Sequence, residues 1–221
     1  MDFVFDPSLV LYLPLWKLDG ASFMSDDAYG RTCTVTGALW RPNSRAFDGD
    51  DYIALPNFLH TYGTGTIMAW VKLSQITGAL GILGMYVDTD NRVVLSYQGT
   101  GETNQNTFTY SARVGGGWRM GAYTDTWTST TEWVNVAATF DGTTITTYLN
   151  GVAGANTQAG DYWWDDMGTH IDTAIGRVRT SDVPAYSYYF RGQIGEVLIY
   201  NRALTPIEMQ HNYLATKWRY R

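Results

Sequence analysis

Short runs of β-branched and aromatic residues recur along this chain, each bounded by Gly, Asp or Asn, and none approaches the ~20 apolar residues of a membrane span. The pattern predicts strands over 9–15, 32–36, 51–55, 65–73, 79–86, 92–97, 107–114, 118–124, 132–140, 144–150, 171–177 and 188–200. In the run from Trp133, alternation puts Val134, Val136, Ala138 and Phe140 on one face and Trp133, Asn135, Ala137 and Thr139 on the other. Both faces are apolar or small, as expected where one meets an opposing sheet and the other lines a shallow concave groove. Asp141-Gly142 and Asn150-Gly151 are hairpin signals that fix the register of this central pair. One helix is expected, over 206–216. Thr205 and Glu208 have capping-box spacing, Pro206 takes the first helical position, and Leu204 can staple to Met209. The pattern as a whole is that of an all-β, two-sheet antiparallel sandwich with one short C-terminal helix, formed as a single domain over 1–221.

Composition narrows the surface. The chain has 16 Tyr and 9 Trp against 8 Phe, so most of its rings carry a polar edge suited to half-wet sites. Charged residues are only 16%, below the usual ~25%, and imply a mainly neutral, polar exterior. A net charge of −6 argues against nucleic acid as the main partner, because phosphate binding needs a basic footprint. The lone Cys33 permits no internal disulfide and reads as a small buried hydrophobe. Met1-Asp2-Phe3-Val4-Phe5-Asp6-Pro7 has acids where a secretory leader has bases. The chain is therefore expected either as a piece of a longer exported protein or as one that leaves the cell by another route, such as a virion component.

Five segments in order carry a family resemblance. Leu9-Val10-Leu11-Tyr12-Leu13-Pro14-Leu15 resembles a first strand, and Ala46-Phe47-Asp48-Gly49-Asp50-Asp51-Tyr52-Ile53 resembles an F-D-G-x-D-D-Y-V motif. Thr66–Lys72 and Trp133–Gly142 supply central strands, and Gln193-Ile194-Gly195-Glu196-Val197-Leu198-Ile199-Tyr200-Asn201-Arg202-Ala203-Leu204 resembles a closing I-D-E-V-R-I-Y-N-R-A-L. Together, from about 9 to 215, these segments are similar to laminin-G-like domains of the concanavalin A-like lectin and glucanase group. The resemblance implies a jelly-roll sandwich, a fold that many functions share.

It also implies a structural Ca²⁺, held by a carbonyl near the F-D-G turn and an aspartate of the last strand. That aspartate position is Gly195 here, and strand alternation is expected to point Glu196 to the opposite face. Asp48 and Asp51 stand as candidate Ca²⁺ ligands, with turn formation as the other account. The glucanases of the group carry E-x-D-x-E on one strand, because a retaining mechanism needs two carboxylates ~5 Å apart. No such motif occurs, so the chain is expected to be non-catalytic, with an atypical glycoside hydrolase using Asp161, Asp165 or Asp166 as the less favoured alternative.

Two stretches break the strand pattern, 99–131 and 160–189, and both hold aromatics among amides, hydroxyls and acids. A sugar ring offers an apolar C–H face and a rim of hydroxyls, so its sites pair an aromatic platform with carboxylates and amides. The candidate ligand-binding residues are Trp118, Tyr123, Trp127, Tyr162, Trp163, Trp164, Asp165, Asp166 and Tyr186, the other account of these aromatics being that they plug the open ends of the sandwich or make an oligomer contact. The leading expectation is a lectin-like adhesion or attachment module binding a glycan or another cell-surface ligand, extracellular or on a virion surface. The alternative is a structural virion or surface-layer protein in which the same rings make homo-oligomer or assembly contacts. The basic aromatic end, His211 to Arg221, is expected to pack its rings on the sandwich and leave its cations in water.

Overall fold

The computed structural model describes residues 3–17, 19–159, 163–169, 171–181 and 187–221. In chain order its first strands are β1 (Leu9–Pro14), β2 (Ser22–Met24), β3 (Thr32–Thr36), β4 (Leu39–Arg41), β5 (Ser44–Asp48) and β6 (Tyr52–Ala54). Then come β7 (Gly65–Leu73), β8 (Ala79–Asp88), β9 (Asn91–Gln98), β10 (Thr107–Val114), β11 (Gly117–Tyr123), β12 (Val134–Phe140) and β13 (Thr144–Leu149). The last are β14 (Val152–Ala153), β15 (Gln158–Ala159), β16 (Asp172–Ile175), β17 (Arg177–Arg179), β18 (Ser187–Tyr189) and β19 (Arg191–Tyr200), followed by helix α1 (Pro206–Thr216).

Two antiparallel sheets face each other. One runs β14-β13-β12-β7-β19-β5-β4, with β1 also on β19 and β15 on β13; the other runs β11-β10-β9-β8-β16-β6-β3-β2. Between them lies one continuous buried cluster, in which Ile67, Ala69 and Val71 of β7 and Val134, Val136, Ala138 and Phe140 of β12 meet Leu83, Met85, Val93, Leu95, Phe108 and Tyr110. Cys33 is buried in it, and burial pushes its thiol pKa up to about 12. Asn150 and Gly151, both with positive φ (52° and 77°), form the tight turn between β13 and β14.

Most expected strands form. Gly176, at φ 82°, divides the expected 171–177 strand into β16 and β17, and the expected 188–200 strand splits into β18 and β19. β5 had no sequence signal because it begins Ser44-Arg45. Burial of that arginine is made possible by bonds from its guanidinium to the carbonyls of Ala38 (3.1 Å), Asp19 (3.0 Å) and Gly20 (3.1 Å).

The outer face of the β7 sheet is not the expected groove. Met68, Ala137, Tyr148, Leu198 and Tyr200 are covered there by Leu9, Tyr12, Leu204 and Met209, with Phe3 and Val4 packed against them. The α1 capping box forms as expected. Arg202 bonds both Glu208 and Asp6, and the bond to Arg202 pulls Glu208 down to about 2. Val4 N–H donates to Asn212 (2.7 Å) and Tyr200 hydroxyl donates to the Val4 carbonyl (2.8 Å), so both ends of the chain are bound on this one face. No helix of the described residues is long and apolar enough to cross a membrane.

The expected alternation at Glu196 is corrected by a bulge. The β19–β7 register slips between Ile194 and Glu196, and Ile194 and Val197 both face the core. Gly195 and Glu196 therefore share the outer face. A Cβ on Gly195 would overlap the Tyr220 ring, which stacks on Trp70 at 4.7 Å. Glu196 is fully buried beside it, accepting from Tyr12 hydroxyl (3.3 Å) and from Arg219 (3.1 Å), and burial pushes its pKa up to about 7. Arg219 is thus tied to a buried acid rather than left in water.

Candidate functional site

The exposed aromatic face belongs to the other sheet. Along β10, Phe108, Tyr110 and Ala112 point into the core, which leaves Thr109 and Ser111 on the outside; Gln98 of β9 lies on the same outer face. Gly81 and Gly84 of β8 sit beside them with no side chains. A Cβ on Gly81 would lie 2.5 Å from the Tyr188 carbonyl, and one on Gly84 would lie 2.7 Å from the Arg177 carbonyl. The two glycines thus admit the β17–β18 hairpin onto the sheet, with buried Val178 packed over them.

The hairpin raises Tyr188 as one wall of a groove of about 330 Å³, and Trp118 of β11 is the other. Both rings are exposed, 42% for Tyr188 and 43% for Trp118. Gln98, Thr109 and Ser111 form the floor, and Glu102 and Thr103 close one end. Arg92 supports Trp118 from behind, its Cζ 4.8 Å from the ring centre, and donates to the Thr89 carbonyl at 2.6 Å. Gln98 donates an amide hydrogen to Ser96 Oγ (2.8 Å), which turns its carbonyl oxygen toward acceptor duty.

Among the described residues, Trp118 is the one expected ligand residue that lines this groove. Tyr123 ends β11 half-buried, in a backbone bridge with Asn156. Trp127 packs partly on the core, donates its indole N–H to the Ser129 carbonyl (3.1 Å) and lines a separate hollow with Lys72, Glu132 and Trp133. Trp163 and Trp164 are corrected outright as exposed platforms. Both are 0% exposed; they stack on each other at 4.6 Å, and Trp163 also stacks on Tyr110 and Phe140. Asp166 caps the Trp163 backbone N–H at 2.6 Å, and Asp165 lies exposed over Gly63. Asp161, Tyr162 and Tyr186 lie outside the described residues.

Gln98, Thr109, Ser111 and Glu102 were missed, and Tyr188 fell within the 160–189 stretch without being chosen as a ligand residue. A row of small hydroxyl residues alternating with Phe108, Tyr110 and Ala112 was the available signal of an open sheet face.

The candidate calcium ligands lie together at one turn, without the last-strand position that the resemblance adds to them. Asp48, Asp50 and Asp51 bring carboxylate oxygens within 4.8 Å of one another, and the bond with Asp48 raises Asp50. Asp51, raised by burial, uses one oxygen to accept the Asp48 N–H (2.8 Å), while Arg191 donates to the Asp48 carbonyl (2.6 Å). Gly195 lies further along β19, past Ile194, which pairs with Arg45. The three acids form a turn with a guanidinium beside it, and Asp48 and Asp51 stand as the candidate cation ligands within it.

A family model described as the concanavalin A-like lectin/glucanases superfamily matches residues 47–210. No curated relative matches the sequence. Among solved structures, Trypanosoma rangeli sialidase in complex with 2,3-difluorosialic acid is similar over 97% of this chain (19% identity, TM-score 0.71). This chain spans about a third of that protein, 34%. Domain 4 of AbnA, a GH43 extracellular arabinanase from Geobacillus stearothermophilus in complex with arabinotriose, is similar over 93% of this chain and 98% of that one (22% identity, TM-score 0.68). The botulinum neurotoxin serotype D binding domain is similar over 95% of this chain and 52% of that one (15% identity, TM-score 0.70).

Proposed function

The chain belongs to the concanavalin A-like lectin/glucanase superfamily, and on that premise we propose that it is a non-catalytic carbohydrate-binding module of a secreted or surface protein. The carrying observation is the pair of half-exposed rings, Trp118 and Tyr188, standing over a floor of amide and hydroxyl groups. Rings of this kind offer an apolar face to sugar C–H groups, and the floor meets the hydroxyl rim. Among the described residues lining the groove, Glu102 is the one carboxylate, whereas retaining and inverting hydrolysis both use two. The arabinanase domain, whose structure contains arabinotriose, supports the same reading.

Titration calorimetry of the folded protein against a panel of neutral and acidic oligosaccharides tests it, with Trp118→Ala alongside. Saturable binding to at least one glycan, weakened at least tenfold by Trp118→Ala, is expected. Folded protein that binds none of the panel at millimolar concentration would sink the proposal.

A further inference from the structure

We propose that the groove selects neutral saccharides over acidic ones, and that Glu102 is the residue that sets this preference. The inference rests on the carbohydrate reading of the same groove. Among the described residues lining it, Glu102 is the one charged side chain, and it has no cationic partner. A carboxylate free of a counter-ion accepts hydrogen bonds from sugar hydroxyls, and such bonds are the stronger kind because the acceptor is ionised. It repels a uronate, sialate or sulfate at the same distance.

The nearby cations are committed elsewhere. Arg92 lies behind Trp118, donating to the Thr89 carbonyl (2.6 Å) and the Thr180 carbonyl (3.5 Å). Arg113 faces Asp90 at 3.4 Å, and Arg177 pairs with Asp172 at 2.6 Å. Recognition of an anionic sugar calls for a forked or point cation aimed into the site. Here the floor supplies Gln98, Thr109 and Ser111, which exchange neutral hydrogen bonds with a polyol. Thr107 donates to the Asn104 carbonyl and lies 3.3 Å from Thr109 Oγ1, so the Thr109 hydroxyl donates to Thr107 and keeps its free lone pair for a ligand hydroxyl. By contrast, the hollow beside Trp127 is lined by Lys72 and Arg221 together with Glu132. Among the described residues, cations line that hollow and none lines this groove.

The test measures affinity for matched pairs, galactotriose against trigalacturonate and lactose against sialyllactose, with arabinotriose as a further neutral probe. Wild type, Glu102→Gln and Trp118→Ala are compared at low and at physiological salt. The expected result is a preference of about tenfold or more for the neutral member, narrowed by salt and narrowed again in Glu102→Gln. Trp118→Ala should weaken both members together. Equal or tighter binding of the acidic member by wild type would overturn the selectivity while leaving carbohydrate binding standing. A neutral preference unchanged in Glu102→Gln would overturn the role of Glu102. Failure of wild type to bind any of the five probes would instead remove the carbohydrate reading on which the inference rests.

Discussion

Trp163 and Trp164 follow one another in the chain and disappear into the interior; Trp118 and Tyr188 come from separate elements and meet at the surface. Both pairs have aromatic rings beside polar neighbours, so residue type does not separate them. What lies beneath does. Trp163 lands between Tyr110 and Phe140, inward-facing residues of opposite sheets, and fills the end of the sandwich. Trp118 stands over outward positions of β9 and β10 that are mainly hydroxyl and amide groups, and no opposing sheet closes over it. An aromatic ring is therefore left exposed when the sheet face below it is polar.

The sharpest way to break this contrast is Trp163→Ala. A cavity of that size in a closed core should cost about 3–5 kcal/mol in urea unfolding, with glycan affinity of the folded fraction unchanged. Loss of affinity without loss of stability would invert the comparison.

Next in size is a buried polar group far from both pairs. Glu196 has its folded pKa raised above 4.5, to about 7, by burial, so the folded state holds that proton to higher pH than the unfolded chain does. Its contribution is fully present below pH 4.5 and is lost as pH rises through 7, up to about 3 kcal/mol. Glu196→Gln should flatten the stability profile over that window and leave glycan affinity at neutral pH unchanged. Glu208, held near 2, acts in the opposite direction: its contribution is lost as pH falls from 4.5 toward 2, and that acid limb should survive in Glu196→Gln.

Gly84→Val should cost about 1–3 kcal/mol by pushing against the Arg177 carbonyl, and should weaken glycan binding because the hairpin that carries Tyr188 must move. The smallest effect on stability belongs to Trp118→Ala, no more than about 1 kcal/mol including its contact with Arg92, paired with the largest loss of binding.

The sandwich was legible because its signals are local: alternation in β12, the Asn150-Gly151 turn and the Thr205–Glu208 cap each act within a few residues. The groove was legible only through Trp118. Its second wall depends on Gly81 and Gly84 meeting residues about a hundred positions away, a juxtaposition that no short-range pattern carries. The attention given to Trp163 and Trp164 followed from their place between regular strands, yet a short helical turn, Asp165–Met167, folds them inward. Glu196 likewise turned on a bulge, because one extra residue reverses every side chain assigned by alternation.

The ends of the chain are laced together through Val4, Asn212, Tyr200, Asp6 and Arg202 on the sheet opposite the groove. Anything joined at either end is thereby held behind the molecule, and the groove looks outward. Many copies on one support would then face a glycan-coated surface together, so the second contact costs far less encounter entropy than the first. A shallow groove of about 330 Å³ that grips a single short glycan weakly would still adhere firmly in such an array, with avidity exceeding the single-site affinity by ~10²–10⁴.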